Sequence, residues 1–227
     1  MKKLLVSVLL VACSAGMAWA TDYNPLTDWT LYPDDPAAWD FGGRLETGYG
    51  TGVFGDFLPM NHIPALWTGA PDGDAYQLPA QYDPSGTCTI WWKEPWRGTS
   101  VAMMAWTFYQ ATARVTPEPG IYNLDVSFIG TGYAAADYQT TNVYVVKNGT
   151  DVLWQAQIHG ADAYTVPVGT SLTELGFSGT DYLDFISANG ADAGESRSSL
   201  TANLDFVRIP EPVTMVLLGL GGLGLIR

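Results

Sequence analysis

The chain has 227 residues, 23 of them acidic and 10 basic, for a formal net charge of −13. Such an excess of negative charge repels nucleic acid and anionic lipid, and excludes a protein that grips phosphate backbones through a basic face. Two cysteines give little scope for a disulfide framework, so stability has to come from burial, for which a 47% hydrophobic composition is ample.

The N-terminus, MKKLLVSVLLVACSAGMAWA, carries two lysines, an apolar stretch from Leu4 to Ala12, and small residues at Ala18 and Ala20. This is the layout of a secretory signal over residues 1–20, with the mature chain beginning at Thr21. Leu10-Val11-Ala12-Cys13 also has the form of a lipobox, in which Cys13 would be lipidated and become the N-terminus. That second reading leaves about six apolar residues, against the 7–15 of a typical signal. If Cys13 is removed, the exported chain cannot form an internal disulfide, and Cys88 reads as a small buried residue. Setting aside Lys2, Lys3, Arg227 and Glu211 leaves seven basic and 22 acidic residues, a formal charge of about −15 that suits solubility outside the cell.

Residues 21–209 are enough for one sizeable core and are read as one domain. Its first part, 21–86, is rich in Pro, Gly, Asp and aromatics with few clean alternations, and predicts short strands joined by ordered loops. From 87 onward period-two alternation recurs between Gly, Asn, Asp and Pro punctuation. Strands are predicted at 87–92, 101–108, 163–168, 182–188 and 200–209. In GIYNLDVSFIG, residues Tyr122, Leu124, Val126 and Phe128 share one face, with Asn123, Asp125 and Ser127 on the other. In VYVVKNGTDVLWQAQI, Asn148-Gly149 supplies the two positive φ angles of a type I′ hairpin turn. After that turn Val152, Trp154, Ala156 and Ile158 are expected on one face. The fold class is therefore all-β: an antiparallel sandwich or jelly roll of about eight to ten strands, flanked by an N-terminal signal helix and a short C-terminal hydrophobic helix.

Candidate chemistry is sparse. TIWWKEPWRG clusters Trp91, Trp92 and Trp96 around Lys93, Glu94 and Arg97, and flat indole faces of this kind stack on sugar rings. Adjacent strand residues point to opposite faces, so Trp91 and Trp92 cannot both belong to one platform, and core packing is the competing use. The carboxylates show no local spacing of the kind that glycoside hydrolysis needs across one bond. His62 and His159 stand far apart without a neighbouring Cys or second His, which does not make a zinc site. Asp72 and Asp74, and Asp181 with Asp184, offer loop carboxylates to a structural calcium, though Asp-Gly is also an ordinary turn signal. No other cofactor is expected, and no catalytic residue is assigned.

The C-terminus, RIPEPVTMVLLGLGGLGLIR, is different in kind. Its apolar run from Val213 to Ile226 would span about 21 Å as a helix, short of a ~30 Å hydrocarbon core, and four glycines weaken it. Pro210-Glu211-Pro212, the run containing Leu217-Leu218-Gly219-Leu220-Gly221-Gly222-Leu223, and the basic Arg227 together resemble a PEP-CTERM sorting signal over residues 210–227. The resemblance implies an exported protein of a Gram-negative bacterium that makes exopolysaccharide. It also implies transient residence in the inner membrane and removal of the tail by an exosortase, much as a GPI signal is removed. Family members usually end on several arginines, whereas Arg227 stands alone. The strand beginning Pro119-Gly120-Ile121-Tyr122, the Asn148-Gly149 hairpin and Asp184-Phe185 resemble, more generally, the uncharacterised jelly-roll domains that often precede this signal, which are similar to carbohydrate-binding modules.

Three functions are expected in order. The first is a non-enzymatic cell-surface or extracellular-matrix protein, with exopolysaccharide or envelope components and an exosortase as partners. The second is a carbohydrate-binding module using its tryptophans. The third is a polysaccharide-active enzyme with carboxylates assembled from distant strands.

Overall fold

The computed structural model describes residues 22–25, 28, 39–45, 51–64, 74–77, 88–91, 101–106, 109–130, 140–159, 166–189 and 195–208. The expected terminal helices lie outside these residues. Among the described residues there are thirteen strands, all paired antiparallel: β1 (Trp39–Leu45), β2 (Leu58–Pro59), β3 (Asn61–Pro64), β4 (Asp74–Gln77), β5 (Thr89–Trp91), β6 (Val101–Trp106), β7 (Tyr109–Val115), β8 (Gly120–Gly130), β9 (Thr141–Lys147), β10 (Asp151–Ile158), β11 (Val168–Phe177), β12 (Leu183–Asn189) and β13 (Glu195–Arg208).

They form two layers. The first runs β2-β1-β7-β12-β9-β10 and the second β3-β4-β5-β6-β13-β8-β11. Only the pair Trp106↔Tyr109 joins β6 to β7, and there the chain passes from one layer to the other. The fold is the all-β antiparallel sandwich expected. Two causes raise the strand number above eight to ten. β1 to β4 arise in the loop-rich stretch, and β7 turns only Ala111, Ala113 and Val115 inward, too little apolar contrast to register as alternation.

The core lies between the layers. β8 contributes Tyr122, Leu124, Val126 and Phe128, and β13 contributes Leu200, Ala202 and Leu204; opposite them stand Phe41, Val143, Val145, Leu183 and Phe185. Phe128 stacks on Trp154 across the gap, with ring centroids 6.2 Å apart. Ser198 and Ser187, both fully buried, bridge the layers with a 2.9 Å hydroxyl hydrogen bond, which satisfies each polar group away from water. Tyr122 packs among Tyr23, Phe177 and Phe206, and its hydroxyl donates to the Glu118 carbonyl. Burial, with Tyr23 adding to it, pushes this phenol well above its ordinary value, so it stays protonated.

Two bulges alter the expected pattern. One between Val152 and Trp154 resets the alternation of β10. Val152 therefore leaves the face of Trp154, Ala156 and Ile158 and packs against Tyr144, Val146, Ile186 and Ala188 on the far side of the first layer. The other lies between Leu172 and Leu175 of β11, where Glu174 takes φ 57°. Leu172 and Leu175 thus both meet the core at a spacing of three rather than two. A strand was predicted at 163–168; the one observed begins at Val168, and the broken period hides it.

The middle of the first layer, around β9 and β12, is buried on both faces. Residues 51–58 lie over its outer side, and Phe54 meets Tyr144 edge-on with centroids 5.0 Å apart. This explains why Val143, Tyr144, Val145 and Val146 form an unbroken apolar run. The Asn148-Gly149 turn is as expected, with φ of 53° and 76°.

Candidate functional site

The two outer faces carry different chemistry. On the first layer, Arg114 of β7 is the register partner of Asp184 of β12. Its Nε donates to Asp184 Oδ1 at 2.7 Å and its Nη2 to Oδ2 at 3.1 Å, a bidentate pair. Arg44 of β1 adds a second guanidinium, with Nη2 3.4 Å from Asp184 Oδ2 and Nη1 donating to the Gly149 carbonyl at 3.3 Å. The Arg114 guanidinium is held between the rings of Phe57, at 4.0 Å, and Tyr182, at 3.9 Å. Gly42 permits this lid, because a Cβ there would run into the Phe57 ring and the Leu58 carbonyl. Asp184 is fully buried, and Arg44 Nε has no hydrogen-bond partner among the described residues. The cluster ties β1, β7, β12 and the β9–β10 turn together.

The outer face of the second layer is instead open and polar. Antiparallel register brings outward residues of three strands into rows. Gly169 of β11, Ser127 of β8 and Thr201 of β13 form one row; Ser171, Asp125 and Asn203 form the next. Asn123 and Asp205 continue the series. Gly169 has no side chain, and a Cβ there would meet the Val126 carbonyl and Ser127, so its position stays as the floor of a hollow of about 370 Å³. That hollow is lined by both rows together with main chain of Val126 and by Thr170. Ser171 Oγ donates to Asp125 Oδ1, and Asn24 Nδ2 donates to Asn203 Oδ1. These bonds fix the acid and the amide in place. The face offers hydroxyl, amide and carboxylate groups to a ligand that presents both donors and acceptors.

The expected site residues fall as follows. Trp91 is in β5, paired with Ala102 of β6, which is paired in turn with Ser199 of β13. Its row is therefore that of Ser199 and Ile129, two positions along β13 from Thr201. Trp92, Trp96, Asp72 and Pro210-Glu211-Pro212 lie outside the described residues. Asp74 starts β4. The structure gives Asp181 and Asp184 partners other than calcium. Asp184 is ion-paired with two guanidinium groups, which repel a dication. Asp181 Oδ1 accepts from Asn148 Nδ2 at 2.8 Å, its Oδ2 accepts from the Ser178 N–H at 2.8 Å, and Lys147 stands 3.5 Å away. The Ser178 N–H and then the Asn148 amide hold the Asp181 carboxyl down at about 2. Among the described residues no group of three or more His, Cys, Asp or Glu is placed to hold a metal. Cys88 is fully buried, and His159 is exposed.

Sequence reasoning identified the outward residues of β8 and β13 as a polar face but not as a site, because each strand alone looks only solvated. The available signal was chemical: Asn123, Asp125, Ser127, Thr201, Asn203 and Asp205 include no lysine, arginine or glutamate, the usual residues of a face that only has to be wet. Arg44 and Arg114 were missed because nothing local to either announces a shared carboxylate.

No family model matches the sequence, and no curated protein matches it. Several solved structures are similar in fold. The chain is similar to the xylan-binding domain from CBM 22 at 9% identity and a TM-score of 0.36, covering 86% of this chain and 99% of that one. It is also similar to TmCBM61, solved with β-1,4-galactotriose, at 8% identity and a TM-score of 0.32 over 75% of this chain and 90% of that one. A third similar structure is CBM35 from Paenibacillus barcinonensis, at 14% identity and a TM-score of 0.28 over 80% and 97% of the two chains.

Proposed function

We propose that this chain is an exported, non-enzymatic cell-surface or matrix protein, delivered through its Pro210-Glu211-Pro212 tail and associated with exopolysaccharide through the outer face of its second layer. The observation that carries the reading is the pair of polar rows over β11, β8 and β13, with the hollow above Gly169. Small hydroxyl and amide side chains held on a rigid sheet present fixed donors and acceptors at low entropic cost, which suits a polymer of hydroxyl groups. The carboxylates of Asp184, Asp181 and Glu174 are each ion-paired, which supports structural work for them rather than proton transfer.

A second reading, a carbohydrate-binding module that stacks sugar on tryptophan, is favoured by one observation. The register row of Trp91 is adjacent to the polar rows, so an aromatic position and a hydrogen-bonding position share one ladder. Glycan-array binding by the purified exported protein tests both. Binding to at least one polysaccharide class is expected; loss on Trp91→Ala with the fold intact selects the second reading, and an array with no bound glycan removes both.

A further inference from the structure

We infer that the hollow on the second layer selects neutral, hydroxyl-rich polysaccharide and rejects polymers of uronic acids or sulfated sugars. The inference rests on the polysaccharide reading above and concerns the same face. Its first support is the lining. Asp125 is exposed in the middle of the hollow with one oxygen taken by Ser171, and every other lining residue, Val126, Ser127, Gly169, Thr170, Ser171, Thr201 and Asn203, is uncharged. An anionic sugar would have to put its carboxylate beside that of Asp125, where like charges in contact repel. Asp205, exposed at the end of the next row, adds to the same sign.

The second support is the state of the cations. Recognition of a polyanion uses guanidinium or ammonium groups with donors to spare. Among the described residues, Arg44 and Arg114 are both paired with Asp184, Lys147 with Asp181, and Arg208 with Glu174 at 2.7 Å. A neutral chain meets no such barrier: hydroxyls can donate to Asp125 and accept from Ser127, Thr201 and the Asn203 amide.

Affinity electrophoresis of the full exported protein tests this, with dextran, xylan and galactan as neutral polymers and alginate and polygalacturonate as acidic ones, at about physiological salt. The expected result is retardation by at least one neutral polymer and by neither acidic one. Thr201→Arg, at an exposed position that leaves the core alone, should weaken neutral binding at least about tenfold by filling the hollow. Asp125→Asn, which removes the negative charge from the hollow, should admit the acidic polymers. Retardation by alginate or polygalacturonate alone overturns the selectivity and leaves the polysaccharide reading standing. Neutral binding that survives Thr201→Arg unchanged shows that this hollow is not the site. Retardation by no polymer of either class overturns the polysaccharide reading itself, and the selectivity with it.

Discussion

Asp22 Oδ1 accepts the main-chain N–H of Phe206 at 2.9 Å, joining residues 184 positions apart in sequence. Next to it, Tyr23 and Leu204 exchange N–H···O bonds of 3.0 and 2.9 Å. The β6 ladder on β13 ends at Leu200, so residues 22–24 take over the flank that β6 leaves open. Tyr23 is buried against Tyr122, and its hydroxyl accepts the Glu118 N–H at 3.1 Å. Tyr23→Ala removes a large buried ring and should cost about 3 kcal/mol in urea unfolding. A loss well under 1 kcal/mol would mean that this flank closes without it.

Asp184 offers a sharper test. Replacing it with alanine leaves two guanidinium groups buried against each other, and about 3 kcal/mol or more should be lost. Arg44→Met and Arg114→Met added to Asp184→Leu should recover much of that loss, because an apolar cluster needs no compensating charge. If the triple variant is no more stable than Asp184→Ala, packing rather than charge decides this region.

At the hairpin, Gly149→Val meets two obstacles. Its φ of 76° resists a β-branched residue, and a Cβ would lie 2.9 Å from Arg44 Nη2 and 3.0 Å from the Tyr182 hydroxyl. A loss of about 1 kcal/mol or more is expected, read from the urea midpoint.

Asp181 makes acid sensitivity local. Its folded value, about 2, is below the ordinary 3.8, so its stabilisation is complete above about pH 4 and is lost as pH falls through 2. Asp181→Asn should therefore be less stable than the parent at pH 6, and the gap should close toward pH 2. A gap independent of pH would assign the difference to the changed hydrogen bonds alone.

The sorting role proposed for the tail has a direct test. In a host with a matching exosortase, mass spectrometry of the mature protein should find chains ending near Pro210-Glu211-Pro212, and alanine at all three positions should leave the full-length chain in the inner membrane. Intact Arg227 on most mature molecules would refute processing.

The layers were legible where a strand is wet on one face. Tyr122 to Phe128 and Leu200 to Leu204 alternate in sequence as they alternate in space. Legibility failed where that condition failed. β9 is buried on both sides and shows no alternation, β7 fills the core with alanine, and the bulges at Leu153 and Glu174 shift the phase of β10 and β11. The polar hollow is a product of register between β11, β8 and β13, which no single segment contains. The pair Asn148-Gly149 was plain because a turn is local chemistry.

The last described strand, β13, is held by neighbours on both flanks. β13 is laddered to β8 from Ser198 to Arg208 and to β6 from Glu195 to Leu200. Tension applied through the tail, along the strand, would load these hydrogen bonds together in shear rather than peel them apart one by one. An edge strand such as β11 at that position would unzip from its single neighbour. Force entering at the C-terminal end of β13 would therefore be shared between two neighbours rather than borne by one.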